Sequence, residues 1–320
     1  MKRKGRFVIS LDFELIWGVL DLKDLGEYKP NIIGVRKAIP DILATFEENS
    51  IHATWAVVGI MALEGVKDIN KYAPDVLPQY INPKVSSYNH ITEISEDEEK
   101  LYFGNDLVQL IKKTPHQELG CHTFSHYYCN EDGADIESFK ADLIASKKVM
   151  KTLYDVDVTS IVFPRNQALP KYVEAACECG FKVWRGNPKG FKVFKNKFAR
   201  TFQRILRMID TYIPIYGNLC DDLPSDSKNM VCLKSSRFFR PYSNKLSFLE
   251  GVKLWRIKKQ MEYAAKHDKV FHLWWHPHNF GSNTQKMLEQ LKDILSYYQF
   301  LHKKYGFKSC SMNELNIKQR

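Results

Sequence analysis

The sequence predicts an α/β protein, a barrel of parallel strands joined by helices. Two observations carry this expectation. Short apolar runs alternate with helical patterns along the 320 residues, which is the signature of strand–helix units around a parallel sheet. Residues able to do chemistry also stand just after successive predicted strands: Asp12, His122, Pro164-Arg165, Trp184-Arg185 and His276. In such barrels the active site gathers at the C-terminal ends of the strands.

The elements follow in order. Arg6 to Leu11 is strand-like, because Phe7, Val8 and Ile9 form the continuous apolar run of a strand buried on both faces. Ile33 to Asn49 is helical, with Ile39, Ile42, Leu43 and Phe46 on one face, and Ala53 to Val58 is a second strand. Lys67 to Glu96 is rich in Pro, Asn and Ser and reads as a long loop with short helices. Glu98 to Lys112 is helical, and Glu118 to Cys121 is a short strand that delivers His122. A helix marked by Ile136, Phe139, Leu143 and Met150 precedes a strand at Ser160 to Phe163. Lys171 to Cys179 is a helix stopped by Gly180. Phe181 to Trp184 is the next strand. An insertion from 187 to 242 interrupts the alternation. After it come a helix from Leu249 to Lys266, a strand from Val270 to Trp275, a helix from Thr284 to Phe300 and a last strand at Phe307 to Cys310, before a polar tail. Residues 1–320 are expected to form a single domain.

Composition narrows the class. Hydrophobic residues at 44% and charged residues at 26% are typical of a globular chain. No run of about 18 apolar residues occurs, so no transmembrane helix is expected. The basic start, Met1 to Arg6, leads into a strand containing Asp12 and Glu14 rather than a secretory signal. Seven cysteines without a CxxC pair suit reduced thiols in a cytoplasm, and Cys121 reads as a buried strand end rather than a zinc ligand. The net charge of +10 favours anionic partners, but the lysines are scattered and no basic–aromatic nucleic-acid motif stands out.

Three distant segments suit one metal ion. Asp12 and Glu14 are two residues apart, on one face of an extended strand. One can ligate a cation while the other accepts a proton. His122 and His126 are four apart, which suits one face of a helical turn. His276 lies in Trp274-Trp275-His276-Pro277-His278, an aromatic setting for a proton donor, with His278 as its competitor. Arg165 at another strand end can pin Asp12 in its ionised form.

These residues resemble the motifs of the polysaccharide deacetylase (NodB-homology) family of carbohydrate esterases. Ser10 to Glu14 looks like its first motif, His122 to His126 its H-[ST]-x-x-H, Phe163 to Gln167 its third, and Leu273 to His276 its last. The resemblance implies a distorted (β/α) barrel with about seven parallel strands. It also implies a divalent metal on Glu14, His122 and His126, with Asp12 as general base, Arg165 orienting it and His276 as proton donor. Zinc is the expected ion; iron, nickel, cobalt and manganese fit the same ligands. Trp17, Asn166, Trp184, Trp274 and His278 are the expected substrate contacts. Three departures stand out: Glu14 replaces the usual second Asp, the third motif runs Pro164-Arg165, and the fourth motif's usual Asp is missing from 181–187.

The function expected is therefore cytoplasmic, metal-dependent de-N-acetylation of an amino sugar on a nucleotide or lipid carrier, in surface-polysaccharide synthesis. Deformylation of a formamido sugar is the alternative, as is a non-catalytic barrel that binds glycan or nucleic acid. Residues 197–216 read as a basic amphipathic helix: Phe198, Phe202, Ile205, Leu206 and Ile209 recur at helical spacing, with Arg200, Arg204 and Arg207 between them. It is expected either to cap the barrel mouth or to rest on an anionic membrane surface. The oligomeric state is not legible.

Overall fold

The computed structural model describes residues 4–21, 25–191, 197–224 and 230–315. Among them are nine strands in one sheet. They are β1 (Arg6–Phe13), β2 (Ala53–Val57), β3 (Gln117–Cys121), β4 (Ser160–Ile161), β5 (Val183–Gly186), β6 (Val231–Lys234), β7 (Arg237–Phe238), β8 (Val270–Trp275) and β9 (Lys308–Cys310). The order is β6-β5-β4-β3-β2-β1-β8-β7, with β9 beside the start of β1, and every pairing between these strands is parallel.

β6 and β7 lie at opposite ends of that order, yet only Ser235 and Ser236 separate them in sequence. Ser235 N donates to Gly186 O at 2.9 Å, and Ser236 N donates to His272 O at 2.8 Å. The extended segment 231–238 thus bonds to β5 on one side and β8 on the other and closes the sheet into a distorted barrel. The region read as an insertion therefore supplies one of the barrel's staves. Short apolar runs there, Val231-Cys232-Leu233 and Phe238-Phe239, hide it behind the polar residues around them.

The longer helices pack outside. They are α1 (Leu25–Glu48), α2 (Asn105–Lys113), α3 (Ile136–Tyr154), α4 (Pro170–Glu178), α5 (Lys197–Asp210), α6 (Glu250–Lys266) and α7 (Thr284–Tyr305). α1 starts eight residues before the expected Ile33 and runs through Pro30 and Pro40. Ile32, Val35, Ile39 and Ile42 on one stripe are buried against the sheet and outweigh the helix-breaking tendency of proline. The helix expected over 98–112 is split at Phe103-Gly104, where Gly104 N donates to Met61 O at 2.8 Å.

Strand periodicity divides the core in two. Phe7, Ile9, Leu11 and Phe13 of β1 join the large cluster between sheet and helices. Val8, pointing the other way, joins Ala56, Val162, Val183, Leu233, Val270 and Met312 in a small core inside the barrel. Further along the inner face of β1 come Ser10 and Asp12, so the interior turns from apolar to polar towards the strands' C-terminal ends.

Candidate active site

Register places the site. Phe13 pairs with Val57, Val57 with Cys121, Cys121 with Ile161, and Ile161 with Trp184. The next residues along this line include Glu14, His122 and Arg185, which therefore stand at one level on the barrel mouth.

Glu14 and the two histidines converge. Glu14 Oε2 lies 3.1 Å from His126 Nε2 and 3.3 Å from His122 Nε2, and all three side chains are buried. Gly18 makes room for this carboxylate, since a Cβ there would fall 2.0 Å from Glu14 Oε1. His122 Nδ1 sits 2.8 Å from the Val162 carbonyl, which can only accept, so Nδ1 carries the hydrogen. A neutral His122 then aims a bare Nε2 lone pair at a carboxylate oxygen. Two acceptors facing one another in a buried site call for a cation between them. One carboxylate and two imidazoles are also a donor set suited to a divalent transition metal. Burial lowers the pKa of His126, the direction that favours a metal ligand. Burial pushes the Glu14 carboxyl up, but His276, His122 and His126 outweigh it and hold the group well below the usual carboxylate range.

The segment carrying the histidines is a loop, not the expected helical turn. Thr123 and His126 both have positive φ, 62° and 56°. A β-branched residue there is strained and needs support. Asp142 of α3 supplies it. Its Oδ1 accepts from Phe124 N at 2.5 Å, and its Oδ2 accepts from Ser125 N at 3.0 Å and from the Ser125 hydroxyl. Burial pushes the Asp142 carboxyl up to about 6 against these three bonds.

Asp12 is gripped by Arg185, not by Arg165. Arg185 Nη1 lies 2.5 Å from Asp12 Oδ1 and Nη2 lies 2.7 Å from Oδ2. Arg185 also donates to Ser10 Oγ at 3.2 Å and to Asn166 Oδ1 at 3.0 Å, and stacks over Trp274 at 4.1 Å. Burial raises the Asp12 pKa, but Arg185 first and His122 next bring it below the ordinary value. Arg165 instead pairs with Asp21 and stacks over Tyr128. The two arginines differ in depth: Arg185 sits within β5 and points into the barrel, whereas Arg165 follows β4 in a turn at the rim.

His276 Nε2 stands 3.6 Å from Glu14 Oε1 and 3.7 Å from Asp12 Oδ2, at the edge of a cavity of about 520 Å³. Asp12 and Glu14 are thus two carboxylates that face this ring. His278 is stacked behind it, ring centroids 4.8 Å apart, and burial drives the His278 pKa down to about 3. Trp274 and Asn166 line the cavity with Asp12, Glu14, His126 and His276.

The remaining expected contacts lie elsewhere. Trp17 is buried, donating from Nε1 to the Tyr102 carbonyl at 2.7 Å and packed on Tyr102 and Phe103. Trp184 faces outward against Phe163, because it alternates with the inward Arg185. His278 is covered by His276. None of the three is among the cavity's lining residues. α5 lies over the cavity and sends Arg204, Ile205, Arg207 and Met208 into its wall. The side chain of Arg200 lies outside the described residues.

A polysaccharide deacetylase family model matches residues 30–184, which include His122, His126, Arg165 and Asn166. No curated protein matches the chain. Among solved structures, a "putative polysaccharide deacetylase" from Mycobacterium smegmatis superposes with a TM-score of 0.62 at 11% identity, covering 98% of this chain and 90% of that one. A "probable polysaccharide deacetylase" from Pseudomonas aeruginosa PAO1 gives 0.54 at 10% identity, covering 97% and 88%. The 4-alpha-glucanotransferase of Thermococcus litoralis gives 0.53 at 11% identity, covering 98% of this chain and 40% of that one, so the fold alone does not select a reaction. In its fold, and over residues 30–184 in its sequence, the chain is similar to polysaccharide deacetylases.

Proposed function

We propose that this protein removes the N-acetyl group from an amino sugar carried on a nucleotide or a lipid, during synthesis of a surface polysaccharide in the cytoplasm. The observation that carries this reading is the meeting of Glu14, His122 and His126 with Asp12 and His276 around one cavity. Glu14, His122 and His126 would hold one divalent ion, zinc by donor preference, supplying Lewis-acid polarisation of the acyl carbonyl and a lowered pKa for water.

The chain's own groups then divide the proton work. Asp12, kept ionised by Arg185, accepts the proton of the attacking water. Its two oxygens are already oriented by the guanidinium, so little reorganisation is needed at the moment of transfer. His276, half open to the cavity, donates a proton to the departing amine nitrogen as the C–N bond breaks. His278, stacked against it and neutral, fixes the ring's plane. Trp274 and Asn166 offer an aromatic wall and an amide to the sugar.

Acetate release from N-acetylated amino sugars, measured beside formate release from the matching formamido sugars, tests the reading. Acetate is expected as the faster product. Faster formate release would assign the deformylase activity instead, and release of neither would leave a binding barrel.

A further inference from the structure

The cavity above the site carries more positive charge than the proton work needs. Arg185 is matched by Asp12, and Arg165 by Asp21. Arg240 donates from Nε to Thr211 Oγ1 at 2.7 Å. Among the described residues, Arg204 and Arg207 form no ion pair with a carboxylate, although both line the cavity. Arg207 is half-buried, with its guanidinium 5.3 Å from the Phe191 ring. Burial, then Arg240, Arg185 and Arg204, lowers its pKa to about 10, so like charges crowd one another there. Crowded, partly desolvated guanidinium groups are unfavourable until an anion joins them, and their fork geometry matches phosphate oxygens.

An apolar strip of α5 flanks these arginines. Phe202 is 55% exposed, Ile205 46% and Met208 47%. Ile205 and Met208 also border the cavity, so the apolar strip runs from the arginines out to solvent. The helix cannot turn its apolar side inward, because Asp210 at its end is tied to Arg237 of β7 at 3.0 Å and to Arg256 of α6 at 3.6 Å. Arg204 and Arg207 thus line the cavity, and Phe202, Ile205 and Met208 are apolar side chains that α5 leaves exposed beside them.

We propose that Arg204, Arg207 and Arg240 bind the phosphate of the substrate's carrier, and that Phe202, Ile205 and Met208 lie along a lipid chain attached to that phosphate. This rests on the amino-sugar reading above and sharpens it: of the nucleotide and the lipid, the lipid is the carrier. A nucleoside would bring several hydrogen-bonding edges to a strip dominated by Phe202, Ile205 and Met208. A lipid removes that strip from water while its phosphate neutralises the arginines.

Equilibrium binding to the full chain tests the proposal without needing turnover. The probes are inorganic pyrophosphate, a nucleoside diphosphate and farnesyl diphosphate. Farnesyl diphosphate is expected to bind tightest of the three. R204Q/R207Q should weaken all three by roughly tenfold or more, the effect of losing a charge-assisted bond. Phe202→Ser with Ile205→Ser should remove the farnesyl advantage and leave pyrophosphate binding in place. Binding should persist in His126→Ala, which separates the arginines from the ion-holding cluster. Tighter binding of the nucleoside diphosphate, or diphosphate binding unchanged in R204Q/R207Q, overturns the proposal. Arginine-dependent binding without acetate release counts against the deacetylase reading alone.

Discussion

Arg185 and Asp12 form a two-pronged buried pair, 2.5 Å and 2.7 Å, that joins β5 to β1 across the barrel mouth. It neutralises Asp12 without touching the Glu14–His122–His126 cluster. One carboxylate is thus committed to an arginine and the other to imidazoles, although they stand two residues apart.

Loss of this pair should be felt more than loss of the rim arginine. Arg185→Gln leaves the buried Asp12 uncompensated and should cost about 3–5 kcal/mol of stability. Arg165→Gln breaks a partly exposed pair with Asp21 and should cost about 1 kcal/mol or less. Denaturant unfolding of both variants checks the order, which the expected Arg165–Asp12 pairing would reverse.

Asp12→Asn should retain metal yet lower turnover by roughly 100-fold or more, the effect of a lost general base. His276→Ala should do likewise, with a smaller loss on substrates whose leaving group needs no proton. Single-turnover kinetics with metal content measured on the same sample separates the two effects. Near-normal turnover in Asp12→Asn would move the base to another group.

Gly18→Ala should loosen the ion-holding cluster from outside it. The added methyl meets the Glu14 carboxylate, which His122 and His126 hold in place and which cannot swing aside freely. Metal affinity should fall by roughly 10-fold or more, in the range seen when support for a ligand is lost. Titration against a competing chelator reads this directly, and unchanged affinity would mean that the carboxylate sits elsewhere when the ion is bound.

Asp142 gives a pH signature. Its carboxyl is raised in the folded state, from 3.8 to about 6, so the folded protein holds that proton more tightly than the unfolded chain. Stability from this group is therefore present below about pH 4 and lost as pH rises through about 6. In Asp142→Asn that portion of the pH dependence should disappear, while the lost bonds to Ser125 lower stability at every pH. Unfolding free energies from pH 4 to 7 test it; parallel curves for wild type and variant would contradict the raised pKa.

Much of this was legible in the sequence because strand ends and motif residues coincide. β8 matches its expected bounds, and Glu14, His122, His126, Asp12 and His276 do meet at one end of the barrel. The misreadings have local physical causes. Arg165 and Arg185 both follow apolar strand residues, and only the period-two alternation of β5, which turns Val183 and Arg185 inward and Trp184 outward, tells them apart. Trp17 looked like a sugar platform, but a tryptophan whose Nε1 finds a backbone carbonyl is content in a core. Asp142 gave no motif signal, since its partners are backbone amides some 17 residues away that only the fold brings near. The stave at 231–238 was missed because a parallel closing strand is specified by its neighbours, not by its own short apolar runs.

The proposed function depends most on Glu14, His122 and His126 holding one divalent ion together. Elemental analysis of purified wild-type protein and His126→Ala, with circular dichroism on both, tests it most directly. Folded wild-type protein is expected to hold about one equivalent of metal per chain, and His126→Ala to be nearly empty but still folded. Full occupancy in His126→Ala would contradict it.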